Sequence, residues 1–347
     1  MDVLNVSSRK RETYKVKIKY SVLWECVLGI AAITNTPILH TLEKTTQDWE
    51  KIKQLLSKDM LDELCFVEEK NTWKALLQLL HQKEFKDVAS FLAYIKELSE
   101  EDLKFICIPF IGEDLQEKRR LASNGVEAAI QELKMLTKSN PFFPDYIEFI
   151  CKVDEQLLKA HLTKVMSGWY KAVIEPEFEK LLPILERDAQ SKIKMSKKMT
   201  PEELVEWSTG GVTYLPEPSV HHVLLIPQYT YRPWNIEADI EDTKVFFYPI
   251  ANESIAPHDK YLPNYFLVQK YKALGDEARL RIVKLLYERD RTLQELTEQL
   301  NIGKSTIHHH LKLLRAAKLV EIIDSKYSLK SKALDALSKE LNVFLDD

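Results

Sequence analysis

The sequence predicts an α+β chain that is predominantly α-helical, with an N-terminal helical domain carrying a small β-sheet and a smaller C-terminal unit of three helices and a hairpin. Three observations predict it. Apolar residues recur at three- and four-residue intervals over most of residues 21–208. Short β-rich runs appear only near the N-terminus and beyond Gly210. A stretch containing Pro257, Pro263 and Asn264 then sets the last 80 or so residues apart. The expected boundaries are 1–255 for the helical domain with its sheet, 256–264 for a connector and 265–347 for the C-terminal unit.

Taken in order, residues 12–20 alternate Tyr14, Val16, Ile18 and Tyr20 with Lys15, Lys17 and Lys19, the period of a half-buried strand. Arg9, Lys10 and Arg11 ahead of the apolar run 22–33 imitate a secretory leader, but Glu25 inside that run and the long charged lead-in argue against one. Helices follow to about Ser208, broken at Asn140-Pro141 and Pro144 and bent or divided at Pro176 and Pro183. One helix start is unusually legible: Thr200 caps, Pro201 occupies the first turn where its missing N–H needs no partner, Glu203 completes a capping box, and Gly210 follows the end. The runs 220–226 and 244–248 each close on a proline, Pro227 and Pro249, and read as strands at a sheet edge or end that join the N-terminal strand.

Composition narrows the function. The chain has 347 residues and a net charge of −4, with only 8 glycines. No GxGxxG, GxxxxGK[ST] or GxSxG spacing occurs, so phosphate-cradling loops and the hydrolase elbow lack their signatures, and a non-enzymatic binding protein is the expectation. Four cysteines without a CxxC pair fit reduced thiols in a cytoplasmic protein, and no apolar stretch reaches the roughly 18–20 residues that span a bilayer. Trp24, Trp49, Trp73, Trp169, Trp207 and Trp234 read as core anchors ahead of pocket walls, and His40, His81 and His161 as isolated structural or solvated groups.

The C-terminal unit carries the most information. A helix over 276–287 is followed by Thr292 and Glu295 at capping-box spacing, and Leu293, Leu296 and Leu300 line a short second helix. Asn301-Ile302-Gly303 turns into a third helix over 304–317. Two helices joined by a short glycine-containing turn describe a helix-turn-helix. At about 100° per residue, Ile307, His310, Leu311 and Leu314 form the inward stripe, with His310 a packed, hydrogen-bonded group. Ser305, His309, Lys312 and Ala316 face outward, flanked by Thr306 and His308. Three successive histidines on a helix point about 100° apart and cannot converge on one metal ion. A hairpin over 319–330 would form a wing, with Lys326, Lys330 and Lys332 at its tip and exit. Residues 301–332 hold seven basic and two acidic residues, whereas residues 1–270 are net acidic, which is the charge footprint of a DNA-docking patch.

This segment resembles the winged helix-turn-helix of the ArsR family of bacterial regulators in KALGDEARLRIVKLL (272–286), TLQEL (292–296) and STIHHHLKLLRAAKLV (305–320). The resemblance implies a homodimer that binds double-stranded DNA through the third helix and wing, usually as a repressor relieved by a signal. The residues presented to DNA would be Lys304, Ser305, Thr306, His308, His309, Lys312, Lys326, Lys330 and Lys332. Leu293 to Leu296 lack the cysteine pair of arsenic- or antimony-sensing members, and residues 331–345 lack the histidines of zinc-sensing ones, so no metal or cofactor is expected. Lys318 stands where the family commonly has glycine, at a left-handed cost of about 1 kcal/mol. A stripe of Leu334, Leu337, Leu341 and Leu345 suits a dimer partner, or in part the unit's own core. The first 250 or so residues resemble, more weakly, extensions on some ArsR-like regulators, through YSVLWECVLGIAAI, the run 223–227 and Phe247-Tyr248-Pro249. An unidentified signal at that domain, carried by a small-molecule effector, is the expectation, and an N-terminal enzyme or a protein-interaction platform is the alternative.

Overall fold

The computed structural model describes residues 13–346, so Arg9, Lys10 and Arg11 lie outside the described residues. The chain folds as a largely helical α+β protein. The expected N-terminal strand is β1, Lys15–Ile18. It lies at one edge of a four-stranded sheet with β2, His222–Gln228; β3, Ile236–Ile240; and β4, Thr243–Pro249, in the order β1-β2-β4-β3. β1 and β4 both run parallel to β2, with Lys15 opposite His222 and His222 opposite Thr243.

β2 and β4 occupy the centre of the sheet, so of the two readings, edge or end, the edge is corrected, while the prolines do stand at the strand ends. Pro227 and Pro249 are tolerated because they lie two residues past Leu225 and Phe247, the last positions paired to β1 and β3, so their missing N–H groups fall beyond those outer strands. Sequence periodicity missed β3, whose alternate positions are Glu237 and Asp239. Both carboxylates meet Lys244 of β4 at 3.1 Å, which stabilises an acidic edge strand across the pair.

The sheet is covered on both faces, as strands with near-continuous apolar runs require. Leu224, Ile226, Val245 and Phe247 pack into the large helical core. Val223, Leu225, Phe246 and Tyr248 face Tyr14, Leu204 and Val205 instead. The helix Pro201–Ser208 supplies that second layer and begins with the expected capping box of Thr200 and Glu203. Helix Val22–Ile33 is buried along its whole length. Its Glu25 carboxylate accepts from the Tyr229 and Thr230 amides and the Thr230 hydroxyl, at 2.5, 3.1 and 2.6 Å, tying this helix to the turn after β2. Burial raises the Glu25 pKa against these hydrogen bonds. Pro176 sits in a 3-10 segment that divides the helices, whereas Pro183 lies inside Phe178–Ser196. No helix among the described residues is long and apolar enough to cross a membrane.

A separate apolar cluster forms the C-terminal core, with Ile282, Leu286, Leu296, Ile307, Leu311, Leu314 and Leu319 at its centre. Its helices are Tyr265–Leu274, Glu277–Glu288, Leu293–Leu300 and Lys304–Ala316, followed by the hairpin β5, Val320–Ile323, and β6, Lys326–Leu329. Lys270 on the first of these pairs with Glu340 of Leu337–Asp346 at 2.6 Å, fastening the last helix to the unit. Leu334 packs on the core, while Leu345 is left 68% exposed.

Candidate nucleic-acid interface

Local rules build the helix-turn-helix. Thr292 accepts from the Glu295 amide while the Glu295 carboxylate accepts from the Thr292 amide at 2.7 Å, so the second helix starts where the sequence predicts. Those hydrogen bonds and Arg289 hold the Glu295 carboxyl down at about 2. Asn301 ends that helix in the left-handed region, φ 53°, a conformation Asn tolerates well. Gly303 then opens Lys304–Ala316 without a side-chain cap, which leaves the first amides of that helix available to a phosphate oxygen.

The inward stripe is as expected for Ile307, Leu311 and Leu314, all fully buried. Outward, the structure brings Lys304, Ser305, Thr306, His308 and His309 together as an exposed surface, with Lys312 half-buried one turn on. Arg315, also exposed, adds a cation three residues beyond Lys312. Sequence reading left it out, although it projects near the flank occupied by His308. The His309 and His310 rings diverge, with centroids 6.2 Å apart. No group of three or more candidate metal ligands occurs among the described residues.

Three expectations are corrected. His310 packs inward but makes no hydrogen bond at Nδ1, which lies 3.9 Å from Asp276. The Asp276 carboxylate is already engaged by the Arg279 amide, and burial lowers the His310 pKa. Ala316, assigned outward, is buried, because the end of its helix faces the N-terminal part of the chain. Lys330, assigned to the wing's cationic surface, donates instead to the Gly211 carbonyl and lies 3.8 Å from Glu321. The remaining wing cations, Lys326 and Lys332, are exposed. The wing turns through Asp324 and Ser325, both at positive φ, and Tyr327 pairs with Arg291 to add a short third bridge.

Lys318 adopts the left-handed conformation the sequence implies, φ 58°. It terminates the helix with Leu319 N–H donating to the Leu314 carbonyl at 3.0 Å. Its ammonium is buried near Lys330 and Glu237, and burial first, then Lys330, lowers its pKa to about 8. The base of the wing is therefore seated on the N-terminal part of the chain.

One constellation elsewhere escaped the sequence. His161, read as isolated, has Nε2 at 2.8 Å from the Thr72 hydroxyl and Nδ1 at 2.5 Å from Glu63. Thr72 is fully buried, so the arrangement crosslinks helices and offers its hydroxyl to no substrate. The 89 and 98 residues separating these partners left no local signal.

A helical core whose last helix, Lys304–Ala316, is exposed, polar and cationic on its outer face, followed by a two-stranded hairpin, defines a winged helix-turn-helix protein. Residues 276–321 match the bacterial regulatory proteins of the arsR family. The chain belongs to that family. It is 38% identical over 50 residues to the transcriptional repressor SdpR of Bacillus subtilis (strain 168), covering 14% of this chain and 56% of that protein. It is also 38% identical over 81 residues to the HTH-type transcriptional regulator YceK of the same organism, covering 22% of this chain and 81% of YceK. No solved structure matches the chain.

Proposed function

We propose that the chain is a one-component DNA-binding transcription regulator that acts as a repressor. Lys304–Ala316 enters the major groove as recognition helix, and the wing contacts the phosphate backbone. The observation that carries this reading is the exposed surface of Lys304, Ser305, Thr306, His308 and His309, lying within the segment that matches the arsR family. Hydroxyls and imidazoles at such positions read base edges, and lysines neutralise phosphates. A homodimer, built in part through the exposed apolar side of Leu337–Asp346, would set two recognition helices about 34–36 Å apart. The regulator is expected in the cytoplasm, and the N-terminal part receives the signal.

The reading assigns the chain no catalysis. Titration of the chain's own upstream DNA against a random fragment tests it. Preferential binding by the wild type, relaxed in a His309→Ala, Lys312→Ala double variant, is the expected result. Equal affinity for both fragments would remove the proposal.

A further inference from the structure

A cavity of about 700 Å³ lies where the N-terminal part of the chain meets the winged unit. Its walls come from residues 41–48 and 229–234 on one side, and from Lys272, Arg279, Leu313 and Ala316 on the other. Leu313 and Ala316 belong to helix Lys304–Ala316, so a molecule here touches the element that would read DNA. The volume lies within the roughly 300–1,000 Å³ typical of small-molecule sites, and such sites favour domain boundaries.

The chemistry of the walls selects a ligand class. Tyr229 and Trp234 supply aromatic surface, and the Trp234 indole N–H is already committed to the Thr41 hydroxyl at 2.9 Å. Both carboxylates of the lining are engaged: Glu43 pairs with Arg232 at 2.9 Å, and Asp48 accepts from the Thr45 amide and hydroxyl at 3.1 and 2.7 Å. Arg279 donates to the Ala273 and Lys272 carbonyls at 2.6 and 3.0 Å. Lys44 and Lys272 are left without an ion pair among the described residues. The Lys44 ammonium stands 4.9 Å from the Tyr229 ring centroid, largely removed from water, and that burial lowers its pKa. No carboxylate among the described residues lies within ion-pair distance of Lys44, on which Glu25, Asp48 and Glu177 act from farther away, and Lys272 across the cleft is likewise unpaired, so both ammonium groups can still take a charge-assisted contact from a bound anion.

We propose that this cleft binds a small aromatic carboxylate, held by Lys44 from the N-terminal side and Lys272 from the winged side, and that its binding is coupled to DNA affinity. The coupling rests on the regulator reading above; the binding itself does not. A ligand that bridges both sides changes DNA affinity to the extent that it binds the DNA-bound and free arrangements unequally, and DNA changes ligand affinity by the same factor.

Naphthoate and its neutral isostere naphthamide are suitable probes, titrated calorimetrically into the full chain. Naphthoate should bind at one site about tenfold or more tighter than naphthamide, since a charge-assisted contact contributes about 1.5–3 kcal/mol. Lys272→Met, at an exposed position where folding is not at risk, should remove most of that preference, as should Lys44→Met. Absent binding of naphthoate at millimolar concentration, equal affinity for the two probes, or full preference retained in Lys272→Met would overturn the proposal. DNA titrations with naphthoate separate the second half. A shift in DNA affinity that Lys272→Met abolishes supports the coupling, and an unmoved affinity in a DNA-competent protein refutes it. A chain that binds naphthoate but no DNA keeps the cleft and removes the regulator reading.

Discussion

Lys318 shows how a single residue can carry two opposing costs. Its left-handed backbone and its buried ammonium both oppose folding, while its stem packs beside Gly211. Lys318→Gly should therefore raise the melting temperature, the backbone part amounting to about 1 kcal/mol. Because its pKa falls from 10.5 to about 8 on folding, the unfolded chain holds the proton more tightly. Wild-type stability should then rise relative to Lys318→Met as pH climbs from about 8 towards 10.5, as urea melts at the two ends of that window would show. The wing lysines divide in the same manner. Lys326→Ala should lower the salt dependence of DNA binding by about one unit of slope, whereas Lys330→Ala should leave the slope unchanged and loosen the wing's base. Helical periodicity made the outward face from Lys304 to His309 legible. Nothing local marked Lys330, whose acceptor Gly211 lies 119 residues earlier.

Among the elements, those closed by neighbouring residues were the ones the sequence disclosed. The capping boxes at Thr200 and Thr292 formed as their spacing requires, and the sheet gathered its N-terminal strand. Thr292→Ala should destabilise the fold by about 1 kcal/mol. The Glu295 carboxyl is held at about 2 in the folded chain, below its ordinary 4.5. Its contribution is complete above the ordinary value and is lost as pH falls towards 2, so Glu295→Gln should flatten the acid limb of a stability profile. β3 was hidden because its stabilising partner, Lys244, is supplied by another strand. The helix ending near Gly210 was legible, but the reason glycine is needed there was only partly so. Gly210 sits at φ 69°, and a Cβ would meet the Phe266 ring at 2.2 Å. Gly210→Ala should thus disturb the junction as well as the turn, and limited proteolysis of the connector 256–264 should accelerate.

In the whole molecule, an N-terminal helical body with a sheet is joined to a winged unit. The sequence disclosed the division into two hydrophobic patterns, because each pattern is periodic within itself. It did not disclose the contacts between them: Lys330 on Gly211, Phe266 on Gly210, and the cleft that holds Trp234 opposite Leu313. These depend on shape and on pairs far apart in the chain. Under the regulator reading, this junction is where a signal reaches the recognition helix. The most direct test is a titration of the purified full chain with its own upstream DNA and with random DNA, repeated from low to physiological salt. The account predicts preference for the upstream fragment, with affinity falling steeply as salt rises, because lysines of the third helix and wing displace counterions from phosphates. Absent binding, or binding that ignores both sequence and salt, would contradict it and make the winged unit a contact for protein.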